Sequence, residues 1–305
     1  ASNSSLLKYI FETYKIDTVF HAAAYKHVPL LEINPLSAIR NNIFSTKAIC
    51  DVCLENNIEN VVLISSDKAV RPKNIMGASK RISELIFQSY DQRSRNIKIN
   101  TKFSMVRFGN VLNSSGSVVP LFKKQIASGG PITLTHKRIT RFFMTIPEAA
   151  SLVLQASGLA KGGEVFLLDM GKPMLIKDLA EAMITLSGLS RRDESKPDGD
   201  IEIIYTGLRP GEKLYEELLI NSESNPTENS LIFKSKEPFI DYDKLSIILE
   251  ELELYLDKNN MDKILETILF LVPNAGFESF YPNDLDIDHL WCYENQSFFF
   301  NKLGM

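Results

Sequence analysis

Ser65-Ser66-Asp67-Lys68, followed by Met76 and Lys80, places hydroxyls, a carboxyl and two amines in one short stretch of the chain. A carboxylic acid beside an amine suggests elimination chemistry, since one group can protonate a departing hydroxyl while the other accepts a carbon-bound proton. Taken alone, a Ser-Asp-Lys triplet reads more simply as a turn cap beside a solvated charge, so the surrounding elements decide its meaning. Residues 58–66 (IENVVLISS) have the apolar run of a strand, and residues 77–95 carry Ile82, Leu85, Ile86 and Tyr90 on one helical stripe. The triplet therefore sits where a parallel strand opens into a helix, the edge of an open α/β sheet at which ligands bind. Met76 and Lys80 are four apart, so on a helix they share a face and can reach one ligand. The Met76 thioether can do no acid–base work there.

The elements that must position these groups follow in alternation. Leu6, Leu7, Ile10, Phe11 and Tyr14 form a helical stripe, 18–24 (TVFHAAA) reads as a buried strand, and Asn34-Pro35 starts a long helix to Asn56. After the 58–66 strand and the 77–95 helix comes a strand over 102–108. Such alternation predicts an α/β fold with a doubly wound parallel sheet and helices on both faces. From Val118 the elements shorten: helices over 118–128 and 147–160, strands over 164–170 and 201–206, a helix over 176–187, and an exposed polar loop over 191–199. Helices over 242–256 and 261–272 follow, and the aromatic tail containing Phe298-Phe299-Phe300 has no clear assignment. The division expected is 1–117 as a partial dinucleotide-binding domain, 118–240 as a smaller substrate lobe with some elements returning to the main sheet, and 241–305 as a helical extension.

SSDKAVRPKNIMGASKR resembles the nucleotide-sugar 4,6-dehydratases of bacterial polysaccharide biosynthesis, particularly the UDP-N-acetylglucosamine 4,6-dehydratases among the extended short-chain dehydrogenase/reductases. Four further segments match that family in the same order: HAAAYKHVPLLE at 21–32, RFGNVLNSSGSVVPLF at 107–122, RITRFFMTIPEA at 138–149 and GLRPGEKLYEELL at 207–219. Five motifs in register carry far more than a lone Tyr-x-x-x-Lys. The resemblance implies a Rossmann-like fold, NAD or NADP as cofactor, a UDP-sugar substrate and a homo-oligomer. It makes Asp67 the acid, Lys68 the base at C5 and Ser66 the bond to the C4 oxygen, where Met76 stands in the usual tyrosine position. Lys80 then orients the nicotinamide ribose, with Ala22, Lys26, Asn41 and Val111 as further cofactor contacts. Asn110, Ser117, Arg141, Arg209 and Glu212 are the candidate substrate contacts: Arg209 is suited to a diphosphate because a Pro-Gly turn fixes its guanidinium, and Glu212 to ribose hydroxyls. Arg141 reads equally as a surface salt bridge. For the pair to work near neutral pH, Asp67 needs a raised pKa and Lys68 a lowered one; burial favours each, and their mutual attraction opposes both. A 4-epimerase of the same superfamily, or a non-catalytic sugar-nucleotide-binding fragment, are the competing readings.

None of the fifteen glycines forms even a G-x-G, so the turn that seats a dinucleotide pyrophosphate is missing from these 305 residues. The expectation is a carboxyl-terminal part of a longer enzyme. Net charge of −4 gives no basic field, which argues against nucleic acid as a partner. No apolar run reaches the ~20 residues of a membrane-spanning helix. No secretory signal is evident at the start, so a cytoplasmic location is expected, with the membrane-anchored branch of the family suggesting attachment of the full-length protein to the inner face of the plasma membrane. Cys50, Cys53 and Cys292 are too few for a disulfide framework, and Cys50-Asp-Val-Cys53 reads as buried helix cysteines. His21 reads as a core residue, and His27, His136 and His289 have no metal-ligand spacing.

Overall fold

The computed structural model describes residues 1–219, 224–273 and 275–276. The aromatic tail after 276 lies outside the described residues.

The apolar runs become a six-stranded sheet. β1 (Thr18–His21), β2 (Asn60–Ile64) and β3 (Lys102–Arg107) are parallel and adjacent, and Val165–Leu168 continues the parallel set beside β3. Ile232–Ser235 then adds antiparallel to Val165–Leu168, and Asn225–Pro226 closes that edge. Neither of these last two strands was predicted, because their polar surroundings carry no period-two pattern. The 201–205 strand, predicted correctly as an element, pairs instead with Ile132–Leu134 in a small separate sheet.

Side chains leave a strand alternately to its two faces, and the central strands use both. Val61, Leu63, Phe103 and Met105 join the main core, whereas Val62 and Val106 join a second core on the opposite face with Ala149, Leu152 and Ala156 of the Ile146–Leu159 helix. Burial of each such large apolar side chain contributes about 1.5–3 kcal/mol. The helices Tyr242–Asp257 and Met261–Leu271 bury Leu245, Leu249, Leu252, Ile264 and Ile268 in that same main core, so they are part of its packing. A third core forms around Phe122, Ile132, Ile176 and Ile203.

The helix expected over 35–56 is divided. Pro35–Ile39 is α-helical, Arg40–Phe44 widens to a π turn, and Ser45–Glu55 is α-helical again. Such bulges commonly sit at functional sites. The widened turn here presents Asn42, whose Oδ1 accepts from the Tyr25 amide (2.8 Å) while its Nδ2 donates to the Tyr25 carbonyl (3.0 Å) and to Ser79 Oγ (2.9 Å). One buried amide thus pins the loop after β1 to the long helix Ile75–Asn96. Cys50 and Cys53 are buried in the Ser45–Glu55 helix, and burial pushes the Cys53 thiol up to about 12.

His21 is buried against Thr46 Oγ1 (3.0 Å) and stacked on Phe87, and burial, with Lys80 adding repulsion, lowers its pKa to about 4. Between the ordinary value of 6.5 and about 4 the unfolded chain binds a proton there that the folded chain refuses, so stability falls as pH drops through that window. At about 1.4 kcal/mol per unit the effect approaches 3 kcal/mol. His21→Gln is expected to flatten the pH dependence of the denaturation midpoint between pH 6.5 and 4 relative to wild type; identical slopes for the two proteins would refute it.

Candidate active site

β2 ends at Ile64, and the chain then turns through the single 3-10 turn Asp67–Ala69. Ser66 caps that turn, its Oγ accepting from the Lys68 amide at 3.3 Å. The Asp67 amide donates to the Phe108 carbonyl (3.1 Å), which locks the turn against the end of β3. Asp67 is 0% exposed: its Oδ1 accepts from Ser66 Oγ (2.8 Å) and Lys68 Nζ (3.0 Å), while its Oδ2 is buried with no partner among the described residues. Gly109 lies over that free oxygen, where a Cβ would come within 3.3 Å of it.

Lys68 reaches outward from the turn. Its Nζ lies 3.6 Å from Glu216 Oε1 as well as 3.0 Å from Asp67, with about a quarter of the side chain exposed. Burial lowers its pKa, but the attraction of Asp67 and Glu216 outweighs burial and the repulsion of Arg141, so the net shift is upward. Pairing therefore wins the contest that sequence reasoning left open, and in the unliganded site Lys68 is an ammonium.

Asn74 caps the helix Ile75–Asn96 by accepting from the Gly77 amide (2.8 Å) and donates to the Gly211 carbonyl (2.9 Å), which fastens the Arg209–Lys213 turn to the helix start. Gly77 faces the Lys68 backbone so closely that a Cβ would run into the Lys68 carbonyl oxygen. Gly77→Ala is accordingly expected to cost about 1–3 kcal/mol through overpacking and to depress turnover by displacing Lys68, measured as a lowered melting temperature together with lowered kcat. A variant matching wild type in both would contradict this packing.

Two expectations for this helix are revised. Met76 is only 3% exposed and packs in the main core, so it does not share an open ligand-facing surface with Lys80. The reason is that the helix is buried almost all round, and the face that periodicity left open is covered by neighbouring elements. Lys80 is also buried, its Nζ donating to the Ile64 carbonyl (3.0 Å), and burial, partly offset by Glu84, lowers its pKa to about 8.

The substrate candidates separate into two groups. Arg141 is buried and donates to the carbonyls of Thr140 (2.7 Å), Leu214 (3.2 Å) and Lys213 (2.8 Å), with Glu212 and Glu216 at 3.7 and 3.8 Å. It is neither a surface salt bridge nor an open phosphate donor; it shapes the 212–216 segment. Glu212 is likewise engaged, accepting from Thr135 Oγ1 (3.1 Å) and the Arg209 amide (3.2 Å). Arg209 is exposed, and its guanidinium has no partner among the described residues. Asn110 has a buried Oδ1 without a partner, and Val111 is half-buried beside Met144. Ser117 donates to the Ser114 carbonyl, and Gly116 packs so tightly on the His27 ring that a Cβ would collide with it.

At the end of β1, Ala22 and Lys26 are exposed, and Asn41 is half-buried, donating to Asn42 Oδ1 (3.1 Å). Lys26 helps line a cleft of about 280 Å³ with Tyr25, His27, Leu30 and Asn34. The structure thus gathers Ser66, Asp67, Lys68, Arg141 and Glu212 in one cluster, with Lys26 at the cleft after β1. Glu216, absent from the sequence candidates, joins the cluster. Nothing in the run of glutamates at 212, 216 and 217 distinguished it, because its burial comes from the fold.

A family model described as polysaccharide biosynthesis protein matches residues 1–236. The chain belongs to that family. It is 49% identical over 263 residues to the capsular polysaccharide biosynthesis protein CapD of Staphylococcus aureus, a match covering 86% of this chain and 42% of CapD. An inverting UDP-N-acetylglucosamine 4,6-dehydratase of Campylobacter jejuni is 36% identical, over 75% of this chain and 64% of that protein. A UDP-glucose 4-epimerase of Rickettsia canadensis is 35% identical, over 70% and 59%. The chain therefore spans less than two thirds of the length of each of these relatives. Among solved structures, Pen from Bacillus thuringiensis superposes with a TM-score of 0.69 at 36% identity, covering 79% of this chain and 72% of that one. DesIV of Streptomyces venezuelae, a dTDP-glucose 4,6-dehydratase solved with NAD, shares the fold with a TM-score of 0.59 at 19% identity, covering 71% and 68%. Among the described residues, no helix is long and apolar enough to cross a membrane.

Proposed function

We propose that this chain carries the catalytic centre of a UDP-N-acetylglucosamine 4,6-dehydratase. The observation that carries the reading is the Asp67–Lys68 pair: a fully buried carboxyl with one free oxygen, hydrogen-bonded to an amine that is partly open to the site. An epimerase needs a single proton relay at the C4 oxygen. Dehydration needs in addition an acid for the C6 hydroxyl and a base for the C5 proton, and a buried acid–amine pair supplies both.

NAD or NADP, when bound, would take hydride from C4 and return it to C6. The described residues fit only its nicotinamide end. Lys80 would meet the ribose by exchanging its bond to the Ile64 carbonyl for a ribose hydroxyl, with Ala22, Lys26, Asn41 and Val111 as further candidate contacts, while no glycine turn among the described residues would seat the pyrophosphate. The upstream sequence of a longer protein is expected to supply that turn.

Once C4 is a ketone, the C5 proton becomes acidic. The C4 hydroxyl has by then released its proton to solvent; Lys68 in its amine form accepts the C5 proton, Asp67 in its acid form gives a proton to the departing C6 hydroxyl, which leaves as water, and the Lys68 ammonium returns its proton to C5 once C6 is reduced. One proton moved across the 3.0 Å hydrogen bond from Lys68 to Asp67 converts the resting ion pair into this acid and amine without changing net charge. Ser66, already bonded to Asp67 Oδ1, is placed to hold the C4 oxygen that Met76 cannot serve. Arg209, exposed and without a partner among the described residues, is the candidate for the diphosphate, and Asn110 would offer its unpaired oxygen to the sugar, whereas Glu212 and Ser117 would reach the nucleotide only by leaving their present partners.

The test is incubation of the full-length protein with UDP-N-acetylglucosamine and NAD or NADP, followed by NMR of the product. A 4-keto-6-deoxy hexosamine is expected. A C4 epimer as sole product would replace dehydration with epimerisation.

A further inference from the structure

Glu216 belongs to no assigned role, yet its placement is specific. Its side chain is 4% exposed, Oε1 lies 3.6 Å from Lys68 Nζ and 3.8 Å from Arg141 Nη2, and Oε2 is buried without a partner among the described residues. A carboxylate kept from water and given no hydrogen bond on one oxygen is poorly compensated, so its attraction for a nearby cation is strong. The charged groups facing it come from three segments. Lys68 and Asp67 lie on the turn after β2, Arg141 on the 140–141 strand, Lys213 on its own segment with Nζ held by the Val70 carbonyl (2.7 Å), and Glu212 on the far side of Arg141 at 3.7 Å. Arg141 is tied down by three backbone carbonyls, whereas among the described residues the Lys68 amine is bound by Asp67 and Glu216 alone. Of the three cations facing Glu216, Arg141 keeps its charge and Lys213 is held by the Val70 carbonyl, which leaves Lys68 as the amine that also meets Asp67.

We infer that Glu216 is a positioning residue for the reaction: it holds the Lys68 amine from the side opposite its bond to Asp67 and stabilises it as an ammonium, thereby setting how readily Lys68 yields its proton and becomes a base. The inference rests on the reading of Lys68 as the C5 base. The upward shift at Lys68, to which Glu216 contributes after Asp67, agrees with it.

The test reads Lys68 directly. Trace acetic anhydride at pH 9 labels neutral amines, and peptide mass spectrometry reports the labelling rate of Lys68 relative to exposed Lys137 in the full-length protein. Removing one opposite charge at this range lowers a pKa by about one unit, so Glu216→Gln is expected to label Lys68 about tenfold faster. Glu216→Asp, which keeps the charge, should label closer to the wild-type rate. If the Gln variant does not fold, Glu216→Ala serves in its place. Unchanged labelling of Lys68 overturns the inference. Faster labelling in a protein that forms no 4-keto-6-deoxy sugar upholds the Glu216–Lys68 coupling while removing the proposed reaction, so the two failures are distinguishable.

Discussion

Asp67→Asn and Lys68→Ala are each expected to lower formation of the 4-keto-6-deoxy sugar by about 10²- to 10⁴-fold, the range contributed by a positioned acid or base. Asparagine keeps the shape of Asp67 and can still accept from Ser66 and Lys68, but it has no proton to give the departing hydroxyl. Alanine at 68 removes the only partly open amine paired with Asp67. The two variants should differ in isotope exchange. In deuterated water, Asp67→Asn should still exchange the C5 proton of bound substrate through Lys68, whereas Lys68→Ala should not. Far-UV circular dichroism and a melting curve would establish that both proteins fold. Normal turnover by either folded variant would remove the assignment of that residue.

The largest stability effect is expected at Arg107. This residue ends β3 fully buried, its Nε and Nη2 bonded to Glu84 (2.7 and 2.6 Å) and its Nη1 and Nη2 to Glu237 (2.5 and 2.7 Å). Arg81 joins the same two carboxylates at 3.0 and 3.1 Å, and Ser65 Oγ donates to Glu84 at 2.6 Å. Burial opposes the charge on Glu84, but Arg107, Arg81 and Ser65 together hold its pKa down to about 2. Arg107→Met would leave two buried carboxylates with one guanidinium between them. Breaking such a buried pair costs about 3–5 kcal/mol, or a melting temperature lower by roughly 10 °C for a chain of this size. Replacing Arg81, Arg107, Glu84 and Glu237 together by apolar residues should recover much of that loss, because no charge of the network is then left uncompensated. A single Arg107→Met variant melting within a degree or two of wild type would show that the network contributes little. The network also bears on the site, since Ser65 precedes Ser66 and the Glu84 helix carries Lys80.

Much of this was legible in the sequence. The apolar runs and the period-3.6 patterns gave the parallel β1–β2–β3 core, the helix after the Asp-Lys pair and the carboxyl-terminal helical pair. The five motifs in register pointed to the family. The missed strands over 225–226 and 232–235 pair antiparallel at a sheet edge, where hydrogen bonding to Val165–Leu168 outweighs a weak local pattern. The π turn at Arg40–Phe44 also left no periodic trace, because it replaces one helical hydrogen-bonding register by another over a single turn.

By itself, the sequence determined that an acid and an amine stand side by side at the end of a buried strand, since adjacency in the chain and the local apolar period are enough for that. Only the tertiary structure decided what surrounds them. Met76 is turned into the core, Arg141 is bound by the carbonyls of a segment some seventy residues away, and Glu216 is brought against Lys68 across almost 150 residues. Burial and charge pairing depend on which distant segments exclude water from a group, and local spacing holds no record of that.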